Sequence, residues 1–405
     1  MYIRRAGHAR TRAIIAAMSG MASSATGPSP DVVVIGGGIV GVACAAHLAA
    51  LGRGVVLVER SQLAAGASGR NSGVVQHPFD PVLVDLHLET LRLYRDLVDR
   101  GDVGFTLPAE PSGVLLVTHD PQVARAVADG LVGSRADLSP TFLDPDEAHV
   151  IEPSLARGVA ACRLAIGYPV APAAATHAYA AWAETLGVTV RVGRAARPWI
   201  LSGRAVGVEL DGGERLAAAE VVVAAGPWTP DLVDPSGSWR PIRSSWGVVV
   251  GVTLAAPPTH VLEEAEIDIE PGDERGSPAG DARFAFSLVP AGSGSSLGST
   301  FLADEPDPVA VLPAILARGA GFVPAIATSA VGMHRVCARP LSLDGRPLVG
   351  RVPGVDGLWV AAGHGPWGIS TGPASGRLIA DLLDGRMSRP APALDPARFA
   401  PPRIR

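Results

Sequence analysis

The sequence contains no lysine, so the 34 residues counted as lysine plus arginine are all arginine. Without a side-chain amine, the chain has no residue for Schiff-base catalysis, for anchoring pyridoxal phosphate or for a phosphate-binding P-loop. The 39 acidic residues give a net charge of -5, and no basic tract is present, which argues against a nucleic-acid partner. The sequence therefore excludes functions that depend on a lysine amine and disfavours nucleic-acid binding.

Cysteines and long apolar runs are also scarce. Cys44, Cys162 and Cys337 are too few and too scattered for a disulfide framework or a metal cluster, so we expect no metal and a reducing compartment, the cytoplasm. No stretch approaches the roughly 18 uninterrupted apolar residues of a membrane span, so no transmembrane segment is expected. Residues 1–29 are predicted to be a disordered tail or an over-extended start, with Met18 and Met21 as candidate starts.

A nucleotide-binding pattern follows the first apolar strand, which ends at Ile35. Gly36 permits a tight turn, Gly38 lets backbone N–H groups approach a pyrophosphate, and Gly41 lets the following helix pack close to the strand. Glu59 ends a second apolar strand about 20 residues later, where a carboxylate can accept both hydroxyls of an adenosine ribose. Because strand, glycines, helix and acid occur in register, they predict a dinucleotide-binding unit.

The length of 405 residues predicts two intertwined domains rather than one core. Apolar spacing predicts helices over 81–100, 121–131 and 172–186 and strands over 113–117, 188–192, 205–210, 220–224, 246–252, 282–289 and 296–300. The last three strands have no predicted helix between them, which indicates an antiparallel sheet. Residues 256–280 are acidic and rich in proline and glycine, and we interpret them as either a lid or a disordered loop.

Four further segments carry unusual glycine or arginine patterns. A small, polar loop spans 66–73, and Gly226 follows another buried strand. Near the end of the chain, Arg339-Pro precedes Asp344-Gly-Arg-Pro, and Gly363-His-Gly-Pro-Trp-Gly follows a final apolar strand. The chain thus returns to the nucleotide-binding fold at its end, which predicts discontinuous domains.

These segments, in this order, resemble the FAD-dependent D-amino-acid oxidase superfamily, which includes glycine oxidase, sarcosine oxidase and D-amino-acid dehydrogenases. The resemblance covers about residues 31–385. It implies an α/β fold, α+β overall, in which a Rossmann-like FAD-binding domain of the glutathione-reductase type joins an antiparallel-sheet substrate domain. The FAD-binding domain would comprise 30–80, 151–240 and 335–390, the substrate domain 81–150 and 241–334, and a tail 391–405.

By this resemblance the cofactor is FAD rather than NAD. The first glycines and Glu59 would hold the ADP half, with Arg60 beside the adenine, and the 66–73 loop would line the ribityl chain and the flavin edge. A solvated loop is the alternative for Arg70 and Asn71. The residues expected to bind FAD are Gly36, Gly38, Ile39, Val40, Gly41, Glu59, Arg60, Ser68, Arg70, Asn71, Ser72, Gly226, Gly363, Gly365, Gly368 and Ile369.

The candidate catalytic residues are Arg339, His364 and Trp367. The resemblance implies that Arg339 pairs with a substrate carboxylate, and an ion pair with a protein acid is the structural alternative. The 363–369 segment is expected beside the flavin pyrimidine edge, where amide donors stabilise the negative charge of the reduced ring. His364 contributes there if protonated and otherwise fixes the turn.

Trp246, Phe286 and Trp367 are candidates for apolar walls over the flavin. The alternative for these aromatic residues is packing in the hydrophobic core. His77 is a candidate polar contact. Cys337 stands where monomeric sarcosine oxidase carries the cysteine that links covalently to FAD. A covalent link at Cys337 is therefore one alternative. We expect non-covalent FAD, with Cys337 as a small packed side chain. That oxidase also uses a lysine near the flavin for oxygen activation, and this chain has no lysine. Either the resemblance to that branch is superficial, or oxygen is not the preferred acceptor, so the expected electron acceptor is oxygen or a redox partner.

The implied activity is oxidation of the CH–NH bond of a small amino acid or N-alkyl amino acid by hydride transfer to flavin N5, followed by hydrolysis of the imine. One alternative is a flavin-dependent dehydrogenase of a 2-hydroxy acid or a sugar phosphate, which needs a base such as His77, His334 or His364. A second is the flavin subunit of a hetero-oligomeric dehydrogenase. A third is a flavin-holding structural or RNA-modifying protein, which the acidic balance disfavours.

Overall fold

The computed structural model describes residues 29–76, 79–101, 104–265, 284–292 and 294–399. His77, the tail over 1–28 and most of the acidic segment 256–280 lie outside the described residues. The strands, in chain order, are β1 (Val32–Ile35), β2 (Val55–Val58), β3 (Val74–Val75), β4 (Val114–Thr118), β5 (Thr141–Leu143), β6 (Ala160–Leu164), β7 (Tyr168–Pro169), β8 (Thr189–Arg191), β9 (Ala196–Leu201), β10 (Arg204–Leu210), β11 (Arg215–Ala217), β12 (Glu220–Val223), β13 (Ile242–Thr253), β14 (Val261–Glu264), β15 (Phe284–Ala291), β16 (Gly294–Thr300), β17 (Ala330–Ser342), β18 (Leu348–Arg351) and β19 (Leu358–Ala362).

Nine α-helices are present in the described part of the chain. They are α1 (Ile39–Ala50), α2 (Ala67–Arg70), α3 (Pro81–Asp99), α4 (Pro121–Ser134), α5 (Pro145–Ile151), α6 (Ala174–Thr185), α7 (Thr229–Val233), α8 (Pro308–Phe322) and α9 (Gly368–Leu383). Aspartates cap α3, α4, α5 and α8, and each of these helices has proline in its first turn. None of the helices within the described ranges combines the length and hydropathy that crossing a membrane requires.

A sheet of six strands, ordered β18–β19–β12–β1–β2–β8, forms the centre of the nucleotide-binding part. The pairs are parallel apart from β18 with β19. Helices α1, α6 and α9 cover one face, and the small antiparallel sheet β11–β10–β9 covers the other. Because both faces are buried, β1 and β2 are apolar at every position, which is why the sequence predicts them clearly.

The second large sheet has eight strands in the order β17–β13–β16–β15–β14–β4–β6–β5. Its neighbours are antiparallel except for β14 with β4. Alternate residues such as Val248, Val250, Leu288 and Leu297 pack on one face under α8. The opposite face is therefore available for polar side chains, and it borders the cavity described below.

The sequence did not predict α8 or the strand β14. Pro313 lies inside α8, and Gly319 and Gly321 are poor helix formers, so the local pattern is weak. Gly319 is nevertheless required, because an added Cβ there would lie 2.9 Å from Leu297 Cδ1. The strand β14 lies within the acidic segment 256–280, so part of that segment is neither a lid nor a disordered loop but pairs in the sheet with β4 and β15.

The predicted domain boundaries stay a prediction, and some strands pair across them. Strand β6, from the segment 151–240, pairs in the eight-stranded sheet, and so does β17, which crosses residue 335. The predicted tail over 391–405 is partly ordered, since Leu394 is buried and its carbonyl accepts a hydrogen bond from the Val349 amide. Strand pairing decides these memberships, and apolar spacing does not reveal pairing partners.

The contact between α1 and α9 depends on Gly376. A Cβ added at Gly376 would lie 2.7 Å from Ala43 Cβ, which has no room to move in the buried helix interface. We therefore expect Gly376→Ala to lower the free energy of unfolding by about 1 to 3 kcal/mol, measured by urea denaturation. Gly133→Ala is the matched control, because this exposed glycine of α4 has open space around it and the substitution should stabilise by about 0.5 to 1 kcal/mol. Equal effects at both sites would contradict the packing argument.

Candidate active site

A cavity of about 1650 Å3 is lined by both the nucleotide-binding part and the eight-stranded sheet. It brings together the separated segments that the sequence singled out. The residues from the expected site that line it are Gly36, Gly38, Ile39, Val40, Glu59, Arg60, Ser68, Arg70, Asn71, Ser72, Gly226, Arg339, His364, Gly365, Trp367, Gly368 and Ile369. Gly41 and Gly363 are not among the lining residues. The volume exceeds that of most pockets for drug-sized ligands, which suits a dinucleotide.

The first glycine turn is shaped by close backbone contacts. Gly36 has φ of 117°, and an added Cβ would overlap the carbonyl of Ala224 at the end of β12. An added Cβ at Gly41 would overlap the Gly36 carbonyl, so Gly41 acts behind the cavity by holding α1 against the turn. Gly38 is the N-cap of α1 and has no side chain to occupy the helix N-terminus. This cradle fits a pyrophosphate, because the N-terminus of α1 lies at the cavity wall and its N-cap residue supplies no side-chain cap.

The Glu59 carboxylate lies at the edge of the same turn. Its Oε2 accepts a hydrogen bond from the Gly37 amide at 2.7 Å, and its Oε1 accepts one from the Ser61 amide at 2.8 Å. Each carboxylate oxygen can accept more than one hydrogen bond, so ribose hydroxyls can still bind. Beside it, the Arg60 guanidinium stacks 3.8 Å from the ring centroid of Trp228, a cavity residue that ends the sequence segment containing Gly226.

The 66–73 loop is fastened by its own side chains. Ser68 Oγ accepts a hydrogen bond from the Ile39 amide at 2.9 Å, which ties the loop to the start of α1. Asn71 donates to the carbonyls of Ala67 and Ser68 and accepts from the Gly73 amide. Asn71 is therefore a loop-closing residue rather than a solvated one.

Arg70, in the same loop, is exposed and reaches across to the eight-stranded sheet. Its Nη1 donates a hydrogen bond of 3.0 Å to the Val336 carbonyl on β17. The side chain is thus directed towards the second sheet rather than into bulk solvent. Its contact joins the two parts of the cavity wall.

The segment 363–369 connects β19 to α9. His364 is 2% exposed, its Nε2 lies 2.9 Å from Ser375 Oγ, and burial lowers its pKa to about 4. A histidine with this pKa is neutral at pH 7, which favours the alternative in which His364 fixes the turn. Gly368 begins α9, whose first amides have no side-chain cap, so the helix N-terminus presents its positive dipole end to the cavity.

Arg339 projects from β17 into the cavity. Its Nη1 donates to the Thr300 carbonyl at 2.7 Å, its Nη2 donates to Ser299 Oγ, and its Cζ lies 4.6 Å from the centroid of the Phe301 ring. Burial lowers its pKa, but an arginine stays charged. No carboxylate in the described ranges lies within ion-pair distance of it, so the structural alternative of a protein ion pair finds no support there.

Gly247 on the neighbouring strand β13 makes room for this guanidinium. A Cβ added at Gly247 would overlap all three outer atoms of the Arg339 guanidinium, Nη1, Nη2 and Cζ. This dependence is not visible in the sequence, because a glycine inside an apolar strand normally indicates only a locally weakened strand. Gly247 is therefore a residue of the candidate site that only the structure reveals.

Of the three aromatic residues expected over the flavin, two lie mainly at the cavity and one lies mainly in the core. Trp246 and Trp367 line the cavity and are half-buried. Phe286 borders the cavity as well, but it is 1% exposed and its ring stacks on Phe322 with centroids 4.7 Å apart. Most of Phe286 therefore belongs to the core under α8, which was the alternative for these aromatic residues.

Glu263 and Gln76 also line the cavity and were not singled out from the sequence. Gln76 Nε2 donates a hydrogen bond of 2.7 Å to Glu263 Oε1, and burial raises the pKa of Glu263 to about 7. The signal in the sequence was the pair Glu263-Glu264, since alternation along a strand places one of them on each face. No group of three or more metal-ligating side chains was found in the described part of the chain.

Comparison with known proteins places this geometry in a family. A family model described as FAD dependent oxidoreductase matches residues 31–382. The chain belongs to this family of FAD-dependent oxidoreductases. The expected fold class, cofactor FAD and enzyme class are thereby confirmed, and the fold of solved relatives agrees.

Several relatives resemble most of the chain. Glycine oxidase from Pseudomonas aeruginosa is 29% identical over 385 residues, which are 92% of this chain and 99% of that protein. The D-amino acid dehydrogenase of Cereibacter sphaeroides is 33% identical over 253 residues, which are 56% of this chain and 53% of that protein. The crystal structure of glycine oxidase from Geobacillus kaustophilus superposes with a TM-score of 0.75 at 25% identity, covering 93% and 99% of the two chains.

Gly36 offers a direct test of the FAD cradle. We expect Gly36→Ala to bind FAD at least about tenfold more weakly, because the backbone must leave a φ of 117° and the new Cβ overlaps Ala224. The measurement is flavin absorbance per protein after dialysis against a series of FAD concentrations. Gly54→Ala is the control, since this exposed glycine precedes β2 outside the cavity and its nearest neighbour atom would be 3.6 Å away. Undiminished flavin content in Gly36→Ala would contradict the assignment.

Proposed function

We propose that this FAD-dependent oxidoreductase oxidises the CH–NH bond of a small amino acid or N-alkyl amino acid. The observation that carries the proposal is the half-buried guanidinium of Arg339, which faces the cavity without a carboxylate partner in the described ranges. A charge that is partly removed from water favours binding of a counter-ion, and a substrate carboxylate supplies one. The similarity to proteins named glycine oxidase supports the same substrate class.

Arg339 is the substrate-positioning residue in this proposal. Its hydrogen bonds to Ser299 and Thr300 fix the plane of the guanidinium, and further N–H donors of the group stay available for a carboxylate. Fixing one end of a small substrate fixes its Cα as well, and positioning supplies a large part of the rate enhancement. Trp246 and Trp367 limit the access of water to the same space.

A bound flavin supplies the hydride acceptor. The chain's own contribution on that side is the segment 363–369, whose backbone donors and helix N-terminus stabilise negative charge near them. If the substrate amine is neutral, its lone pair assists removal of the Cα hydride, and the resulting imine is hydrolysed by water. No strong protein base is then required.

The alternative substrates, a 2-hydroxy acid or a sugar phosphate, receive less support. Their hydroxyl proton must be removed, so a histidine base is needed. His364 has a pKa lowered to about 4 and lies against Ser375, and His334 is not among the cavity residues. His77 lies outside the described residues. We therefore retain amine oxidation as the proposal.

The first experiment is anaerobic addition of glycine, sarcosine, proline and D-amino acids to the purified holoenzyme, followed by the visible spectrum. We expect at least one of them to bleach the flavin. Recovery of the colour in air identifies oxygen as the electron acceptor, and persistent bleaching identifies a separate redox partner. If 2-hydroxy acids bleach the flavin and no amine does, the proposal is wrong.

Gly247→Ala tests the role of Arg339 without removing it. The added Cβ displaces the guanidinium, so we expect kcat/KM for the bleaching amino acid to fall about 100-fold or more. Gly251→Ala, four residues along the same strand, is the control because its Cβ would lie 3.6 Å from the nearest atom. Both variants should keep their FAD. Unchanged kcat/KM in Gly247→Ala would argue against Arg339 as the carboxylate site.

We further propose that the FAD is bound non-covalently. Cys337 borders the cavity, but it is 5% exposed and burial raises the pKa of its thiol, which disfavours the reactive thiolate. Acid precipitation should therefore release yellow flavin into the supernatant, and Cys337→Ser should bind the same amount of FAD as the wild type. Colour that stays in the pellet of the wild type but not of the variant would establish a covalent link.

A further inference from the structure

The cavity-facing side of the eight-stranded sheet carries a second ionisable group besides Arg339. Glu263 on β14 pairs with Ser287 on β15, and Ser287 pairs with Gly298 on β16. Arg339 reaches across β13 to the next residue on β16, Ser299. About two strand spacings, roughly 10 Å, therefore separate the backbone at Glu263 from the guanidinium.

Glu263 differs from its neighbour Glu264, which is part of a structural ion pair. Glu264 is 7% exposed, forms an ion pair with Arg318 of α8 and accepts a hydrogen bond from the Phe286 amide. Glu263 points to the opposite face, towards the cavity, and no cation in the described ranges pairs with it. Two adjacent acids on one strand thus have different environments, and among the described residues a cation pairs with Glu264 but not with Glu263.

Gln76 places a second acceptor beside this carboxyl group. Its Nε2 donates to Glu263, but its Oε1 has no donor among the described residues, although Gln76 is only 8% exposed. The Gln76 amide donates to Ser370 Oγ in the first turn of α9, next to the segment expected beside the flavin. The Glu263 carboxyl and Gln76 Oε1 are therefore two oxygen acceptors at the cavity wall, near the segment 363–369 that is expected beside the flavin.

We propose that Glu263, with Gln76, binds the amino group of the substrate while Arg339 binds its carboxylate. This inference rests on the proposed function and adds the selection of amino acids over acids without an amine. An ammonium group supplies several N–H donors in one place, which matches the two acceptors. A small α-amino acid carries its two charged groups close together, so the spacing of about two strands between Glu263 and the guanidinium suits a short ligand rather than a long one.

The electrostatics of the two groups agree with this assignment. Burial raises the pKa of Glu263 to about 7, and a neighbouring positive charge favours the ionised carboxylate again. Among the described residues, Arg339 pairs with no anion and Glu263 pairs with no cation. Binding of one zwitterion therefore neutralises both groups at once, and passage of the ammonium proton to the Glu263 carboxylate leaves the neutral amine that hydride removal requires.

The test compares two ligands on the holoenzyme of Glu263→Gln. The first is the amino acid that bleaches the wild type, whose apparent dissociation constant follows from the concentration dependence of anaerobic bleaching. The second is acetate, which lacks an amine and is followed through the change in the flavin absorption spectrum. We expect the constant for the amino acid to rise about 10- to 100-fold and that for acetate to change less than about twofold.

Glu184→Gln is the matched control, because this exposed acid of α6 is not a cavity residue and loses the same charge. Glu263→Asp keeps the charge and should weaken amino-acid binding less than Glu263→Gln, which separates charge from loss of folding. If Glu263→Gln and Glu263→Asp bind both ligands as the wild type does, the inference is wrong while amine oxidation stands. If no amino acid bleaches the wild type, the proposed function fails, and this role of Glu263 fails with it.

Discussion

The rest of the site depends on one close backbone contact, between the turn after β1 and the end of β12. Gly36 lies against the Ala224 carbonyl, and Gly41 lies against the Gly36 carbonyl, where any side chain would overlap. This contact places the N-terminus of α1 at the wall of the cavity. Ser68 then bonds to the first turn of α1, and Glu59 bonds to the turn itself. The nucleotide-binding part thus offers mainly backbone dipoles, which suit phosphate and flavin oxygens.

The eight-stranded sheet supplies the opposite kind of surface. One face is apolar and covered by α8, so its other face can carry the ionisable groups of the cavity. The absence of a side chain at Gly247 lets Arg339 extend across two strands, and Ser287 separates this cation from Glu263. A binding surface with separate positive and negative ends results. In the proposed function, the dipolar surface would hold the cofactor and the charged surface would hold the substrate in the same cavity.

Local patterns predicted the elements that have strong local signals. The buried strands β1 and β2, the capped helix α3 and the glycine turn all appear where apolar spacing and turn chemistry indicated them. Helix α8 was missed because Pro313 and two glycines weaken its local pattern, and tertiary packing under the sheet compensates. For Phe286 the strand was predicted but the environment was not, because an aromatic residue in a strand suits a core as well as a pocket. Its stacking on Phe322, which only the structure shows, decides for the core.

The sequence by itself determined the FAD-binding unit, because strand, glycines, helix and Glu59 lie within 29 positions and act through local geometry. Only the tertiary structure decided which charged groups meet. Gln76 and Glu263 are 187 positions apart, and Arg339 and Ser299 are 40 positions apart, so their pairing follows from sheet order and register. Spacing along the chain carries information over a few turns or strand residues, whereas contacts across a sheet depend on which strands pair, and that is set by packing of the whole fold.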